Sequence, residues 1–160
     1  MCNIPLVVAD AETVVRALRE CHVRKGRLRD NVFRSPAGMD EVSVMRHTYM
    51  KSDACKIKAK EIASADPNNP YVGLAAITVE SVRGVGSEVT DSREEFCGHA
   101  HISHGVVVPV DEPLDPALSL RIRALNGKAK LLFDPTPDAE AWTGGQVEIN
   151  PMGQPGLALE

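Results

Sequence analysis

From Tyr71 to Val82 the chain is rich in Val, Ile, Leu and Ala, and its few polar residues do not recur at helical spacing. A run of this kind reads as a strand buried on both faces, which requires a layer of structure on each side of it. It is shorter than the ~20 apolar residues of a membrane span. The apolar opening Ile4 to Ala9 is likewise too short for a signal-peptide core. With 160 residues, 43% apolar and 25% charged, the chain falls in the size and composition range of one globular domain. The expectation is a single cytoplasmic α+β domain over residues 1–150, with a flexible tail at 151–160.

Local patterns fill in the rest. Asp10 followed by Val14, Val15, Leu18 and Cys21 at helical spacing predicts a helix over 11–22. Residues 22–40, with Gly26, Pro36 and Gly38, read as a long basic loop with room for one short strand. Glu41 to Arg46 alternates as a strand, and Ser52 is placed to cap a helix to about Ser64 with Ala54, Ile57, Lys58, Ile62 and Ala65 along one stripe. Residues 84–95 read as loop and Phe96 to Val110 as a second long strand. Asp115-Pro116 opens a helix that Gly127 closes. Lys130 to Phe133 and Gln146 to Ile149 complete a mixed, mostly antiparallel sheet with about three helices packed on it.

The four cysteines, at positions 2, 21, 55 and 97, form no close pairs and are expected to be reduced thiols. Charge is unevenly spread. Residues 1–60 hold twelve Lys and Arg against seven Asp and Glu, whereas 61–160 hold six against fifteen. The excess concentrates between Arg16 and Arg34, where seven basic residues face only Glu20 and Asp30. Guanidinium forks match phosphate oxygens, so Arg24, Lys25, Arg27, Arg29 and Arg34 are candidate ligand-binding residues. A solvated loop balancing the acidic half of the chain accounts for the same residues. Phe33 alone among aromatics lies near this cluster, which leaves no stacking platform for single-stranded nucleic acid.

Three of the five histidines fall within six residues, in Cys97-Gly98-His99-Ala100-His101-Ile102-Ser103-His104. On a regular strand Cys97, His99, His101 and Ser103 share one face and His104 takes the other. Two imidazoles at i and i+2 can share a metal, with Cys97 behind them as a third donor, and a divalent transition metal is then the implied cofactor. Without a metal, the same pair can serve as general acid and base near neutral pH. A second group, Ser43, Arg46, His47 and Tyr49, lies at a predicted strand end. Arg46 and Tyr49 are candidate ligand contacts there, and His47 is a third candidate catalytic imidazole.

Three functional expectations follow. The first is a protein that binds a phosphate-bearing ligand, a nucleotide or nucleic-acid segment, through the arginine-rich loop and Arg46. The second is an enzyme centred on His99 and His101, with or without a metal, acting on a phosphoester or nucleotide bond. The third is a non-catalytic interaction module that docks an acidic protein partner or associates with itself.

Overall fold

The computed structural model describes residues 1–149. The predicted tail at 151–160 lies outside that range. The fold is α+β. A six-stranded sheet has the order β6-β7-β4-β1-β5-β8, and every neighbouring pair in it is antiparallel. Its strands are β1 (Thr13–Arg19), β4 (Glu41–Arg46), β5 (Tyr71–Thr78), β6 (Glu88–Asp91), β7 (His99–Ser103) and β8 (Lys130–Phe133). A separate hairpin pairs β2 (Val23–Arg24) with β3 (Arg27–Leu28). The α-helices among the described residues are α1 (Ser52–Ala63), α2 (Val79–Gly84) and α3 (Pro116–Lys128). No helix among those residues is long and apolar enough to cross a membrane.

The sheet is buried on both sides. Val14, Leu18, Val42, Val44, Ala75 and Ile77 pack in one core with Leu118, Ile122 and Leu125 of α3. Val15, Ala17, Met45, Leu74 and Ala76 pack in the other with Cys55, Ala59 and Ala63 of α1. Helix α1 lies over β1 and β5. On the same side of the sheet, the row Glu41, Ser43, His101 and Ser103 stays half-exposed beside it.

Several expectations need correction. The predicted helix at 11–22 is the strand β1 followed by a 3-10 turn at Glu20–His22. Its Val14, Val15 and Leu18 fit helical spacing, but a strand covered on both faces shows no polar alternation either, and Thr13-Val14-Val15 is β-branched. Asp10 caps nothing; its carboxylate holds Arg83. The run from Tyr71 ends as a strand at Thr78, whose hydroxyl accepts from the Ser81 N–H and opens α2. The predicted loop 84–95 contains β6, which pairs with β7 from Glu88–Ser103 to Asp91–Ala100.

The second long strand is only His99–Ser103, because Gly98 and Gly105 take positive φ on either side of it. Residues 146–149 form no strand. On α1 the buried positions are Cys55, Lys56, Ala59 and Ala63, while Ile57 is 46% exposed, so the apolar stripe is rotated from the predicted one. Ser52 lies inside α1 and makes no cap. The Asp115 cap of α3 is present, its carboxylate accepting from the Ala117 N–H at 2.8 Å, but the helix passes Gly127 and ends at Lys128.

Burying Lys56 requires partners, since an isolated ammonium in an apolar layer is costly. Its Nζ lies 2.9 Å from Asp134 Oδ2 and donates to the carbonyls of Thr136 and Ala141. The Tyr71 hydroxyl donates to the same carboxylate oxygen at 2.7 Å. Burial would raise the Asp134 pKa, but the hydrogen bonds from Tyr71 and Lys56 outweigh it and hold the carboxyl below its usual range.

The cysteines are not all reduced thiols. Cys2 and Cys97, 95 residues apart in sequence, form a disulfide across a Cα–Cα distance of 5.4 Å. Cys21 and Cys55 are free. Cys55 is fully buried, and burial pushes its thiol up to about 12. Thiol titration is expected to find Cys21 alone reactive in the native protein, two thiols after unfolding without reductant, and four after reduction. Four thiols before reduction would contradict the bond.

Candidate functional site

Strands β1 and β4 are neighbours, yet they pair only at Val14–Arg46 and Val15–Met45. Beyond those two pairs their ladder stops, although β1 runs on to Arg19 and β4 begins at Glu41. Arg16 spans the opening. Its Nε donates to the Val32 carbonyl at 2.6 Å and its Nη1 to the Ser43 carbonyl at 3.2 Å. Burial, with the neighbouring charge of Arg19, lowers its pKa to about 10, which still leaves it charged at neutral pH. The gap opens into a cleft of about 320 Å³, whose lining includes Arg19, His22, Glu41, Ser43, Glu95 and His101.

The alternation expected of residues 97–104 holds within β7. His99 and His101 lie on the cleft side of the sheet, with ring centroids 4.9 Å apart in an edge-on arrangement. His104 projects to the other side, where its Nε2 donates to the Phe33 carbonyl and its Nδ1 accepts from Ser87 Oγ, each at 2.8 Å. His99 is only 1% exposed. Its Nε2 is 2.8 Å from Ser43 Oγ, and its Nδ1 is buried without a hydrogen-bond partner. Burial, and secondarily the neighbouring His101, lowers its pKa. His101 lines the cleft, with Nδ1 3.2 Å from Glu41 Oε2, and forms an ion pair with it when protonated. At the far wall His22 Nδ1 accepts from the Arg19 N–H. Burial and the charges of Arg16 and Arg19 take His22 down to about 4.

The other predicted site residues lie elsewhere. Arg46 is fully buried: it holds Glu12 through Nε and Nη2 at 2.8 Å each and Asp91 through Nη1 at 2.7 Å. Burial opposes its charge, but Glu12 and Asp91 outweigh that and raise its pKa. It is therefore a sheet clamp with no guanidinium face turned to the cleft. Tyr49 is exposed, with the Arg46 guanidinium 5.1 Å from its ring centre. His47 spends both ring nitrogens, Nδ1 on Glu148 at 2.8 Å and Nε2 on Ser52 at 3.0 Å, and ties the C-terminal segment to the start of α1.

Cys97 is not a thiolate donor, because its sulfur is bonded to Cys2. Among the described residues no group of three His, Cys, Asp or Glu side chains is arranged to hold a metal ion. The donor set around His99 and His101 does not fit the metal expectation. Arg24, Lys25 and Arg27 are exposed on the β2–β3 hairpin, which turns tightly through Lys25 and Gly26, both at positive φ. Arg29 and Arg34 join Arg123 of α3 around a separate hollow of about 400 Å³.

Sequence reasoning missed Ser43 as the partner of His99, and Arg16 and Arg19 as the basic wall. Both arginines belonged to the recognised cluster, and reading 13–19 as a strand would have put them beside the sheet. Comparison with known protein families, curated proteins and solved structures finds no match.

Three histidines, His22, His99 and His104, are held neutral by burial. An unfolded chain binds protons on them near the ordinary value of 6.5, while folded His22 binds one only near 4. The unfolded state thus takes up more protons in this window, so stability is full above about pH 6.5 and falls as pH drops toward 4. The His22 share is on the order of 3 kcal/mol. Denaturant midpoints at pH 7.5 and 5 are expected to show the loss, and His22→Asn, which keeps an acceptor for the Arg19 N–H, to shrink it.

Proposed function

We propose that the protein is an enzyme that hydrolyses an ester bond in a phosphate-bearing small molecule held in the cleft between β1 and β4. The observation that carries this reading is the pair of touching imidazoles, one buried and neutral, the other at the cleft surface beside a carboxylate. Groups of one chemical type placed in contrasting environments are what acid–base catalysis requires. The neutral ring of His99 accepts a proton at Nε2. His101, with Glu41 at its Nδ1, donates one to the leaving oxygen.

Arg19 lines the cleft, with one nitrogen already used on the Ile62 carbonyl at 3.0 Å and the rest of the fork available to an anion. Arg16 adds a second positive charge behind Ser43. Glu41 and Glu95 line the cleft as well, so the positive potential that would hold an anion is local to the Arg16 and Arg19 wall.

Hydrolysis of bis(4-nitrophenyl) phosphate and 4-nitrophenyl phosphate is the test. His99→Gln and His101→Ala are each expected to lower kcat/KM by about 10²- to 10⁴-fold, the usual range for a lost acid or base. Arg19→Met is expected to act mainly on KM. Absence of turnover by the wild-type protein on both compounds would remove the phosphoester assignment.

A second reading has its own observation: Arg29, Arg34 and Arg123 line the separate hollow, three cations against the one carboxylate of Asp30, which lies 3.6 Å from Arg123, and Arg24, Lys25 and Arg27 are exposed on the hairpin that precedes Arg29 in the chain. This arrangement supports binding of a phosphate-bearing ligand without chemistry. Calorimetric titration with inorganic pyrophosphate is expected to show binding that weakens with salt. The double change Arg29→Glu and Arg34→Glu is expected to weaken it at least tenfold, and an unchanged affinity and salt response would discard this site.

A further inference from the structure

We propose that Ser43 is a nucleophile and that the cleft works through a covalent intermediate on its Oγ, with His99 as its base. The proposal rests on the enzyme reading above and adds the atom that attacks. Ser43 Oγ and His99 Nε2 are 2.8 Å apart, within the reach that a serine and its base need. The placement follows from sheet register. On β4 and β7 the residue opposite Ser43 is His101, and the residue opposite Met45 is His99, so the hydroxyl stands next to two successive imidazoles of the neighbouring strand.

Ser43 also lies where β1 no longer covers β4. Its side chain lines the cleft, and its carbonyl is held by Arg16 and not by a strand partner. The hydroxyl is therefore open to a ligand while the base behind it is shielded from water, His99 being 1% exposed. A further feature of the pair is His99 Nδ1, which lies near the Ser92 backbone but makes no hydrogen bond of good geometry. If Ser43 donates to Nε2, then Nδ1 carries the ring proton without a well-formed hydrogen bond; if Nε2 donates, then Nδ1 is a lone pair without a donor. Either way a buried polar atom of the dyad is left unsatisfied, as are Asn31 Oδ1, Ser35 Oγ and Asn126 Oδ1 elsewhere, so it marks the dyad only together with the Ser43 contact. No carboxylate bonds that nitrogen, so the unit is a Ser–His dyad, and the exposed Glu95 at the cleft wall is the acidic charge that acts on it most.

In the first step the Oγ–phosphorus bond forms as the bond from phosphorus to the leaving oxygen breaks. The Oγ proton passes to His99 Nε2, and protonated His101 gives its proton to the leaving oxygen. In the second step water attacks phosphorus and the Oγ–phosphorus bond breaks. His99 returns its proton to Oγ, and His101, now neutral, takes the proton of the water. Both rings end as they began, and the net change is the ester plus water giving an alcohol and a phosphate.

The test uses an alkyl fluorophosphonate, which needs no knowledge of the natural substrate. Attack by Oγ forms an oxygen–phosphorus bond and expels fluoride, while the Oγ proton leaves through His99 to solvent. Mass spectrometry of the digested full chain is expected to find one adduct, on Ser43. His99→Gln is expected to slow labelling at least 100-fold and Ser43→Ala to abolish it, both variants keeping the wild-type circular dichroism spectrum. Ser43→Cys, which preserves size and hydrogen bonding, is expected to be alkylated by iodoacetamide at position 43 in a His99-dependent manner, and serves if the alanine variant is unstable. An adduct on Ser43 that forms equally fast without His99, an adduct elsewhere only, or no adduct would overturn the proposal. If wild type and Ser43→Ala hydrolyse bis(4-nitrophenyl) phosphate equally, the nucleophile is wrong and the enzyme reading stands. A His99-dependent adduct on Ser43 in a protein that turns over neither phosphate ester keeps the nucleophile and removes the phosphoester assignment.

Discussion

Two arginines, the buried Arg46 and the half-buried Arg16, decide what the seam between β1 and β4 becomes. Arg46, at the paired end, is enclosed by the carboxylates of Glu12 and Asp91, and its charge is neutralised where it sits. Arg16, at the other end, meets only backbone carbonyls, those of Val32 and Ser43. A guanidinium bonded to the carbonyl of a facing strand takes the acceptor that a ladder N–H would use, so the seam closes at Arg46 and opens at Arg16. The cleft follows from that opening, and with it the exposure of Ser43 and His101. Leaving the buried Arg46 charge unpartnered would cost several kcal/mol, which is why its side chain is committed to Glu12 and Asp91, whereas the half-buried Arg16 holds two carbonyls and still lines the cleft.

The same division resolves the charge asymmetry of the chain. Two cations of the first sixty residues, Arg46 and Lys56, meet acidic residues of the remainder, Asp91 and Asp134, contacts that draw the two halves of the sequence into one sheet and its covering helix. The basic cluster between Arg16 and Arg34 splits in three. Arg16 and Arg19 line the cleft, Arg24, Lys25 and Arg27 ride on a solvent-exposed hairpin, and Arg29 and Arg34 border the separate hollow. One stretch of basic sequence thus serves three surfaces, a distinction that a count of charges cannot make.

The legible parts of the fold are those set by short-range chemistry. Asp115-Pro116 announces α3 because a carboxylate cap and a proline without an N–H suit the first turn of a helix and little else. His99 and His101 could be placed on one face because the strand period is two, whatever surrounds it. Features set by distant partners were not legible. Nothing near Arg46 in sequence signals Glu12 or Asp91, so its burial could not be read and it looked like a ligand contact. β6 has only Val89 among four residues as an apolar signal, and its strand form depends on pairing with β7. The disulfide joins cysteines whose spacing carries no information about which pairs with which.

That disulfide acts on the site through the chain on either side of it. Cys97 lies two residues before His99, and the segment between β6 and β7 carries Glu95, which lines the cleft, and Phe96, whose ring stands 4.9 Å from that of His99. Gly98, at φ 100, is the joint that turns this segment into β7, and there a side chain would strike the sulfur of Met50. The segment is held from the other side as well, because the carbonyls of Ile4 and Pro5, close to Cys2, accept from Arg93 and Arg46. Closing a loop of 95 residues removes unfolded-state entropy worth ~4–5 kcal/mol in the chain-entropy description. A covalent tie and the buried Arg46 therefore fix the same short segment. The wall behind His99 is rigid where the seam in front of Ser43 is open, and that contrast lets one imidazole stay dry while the hydroxyl it contacts faces the cleft.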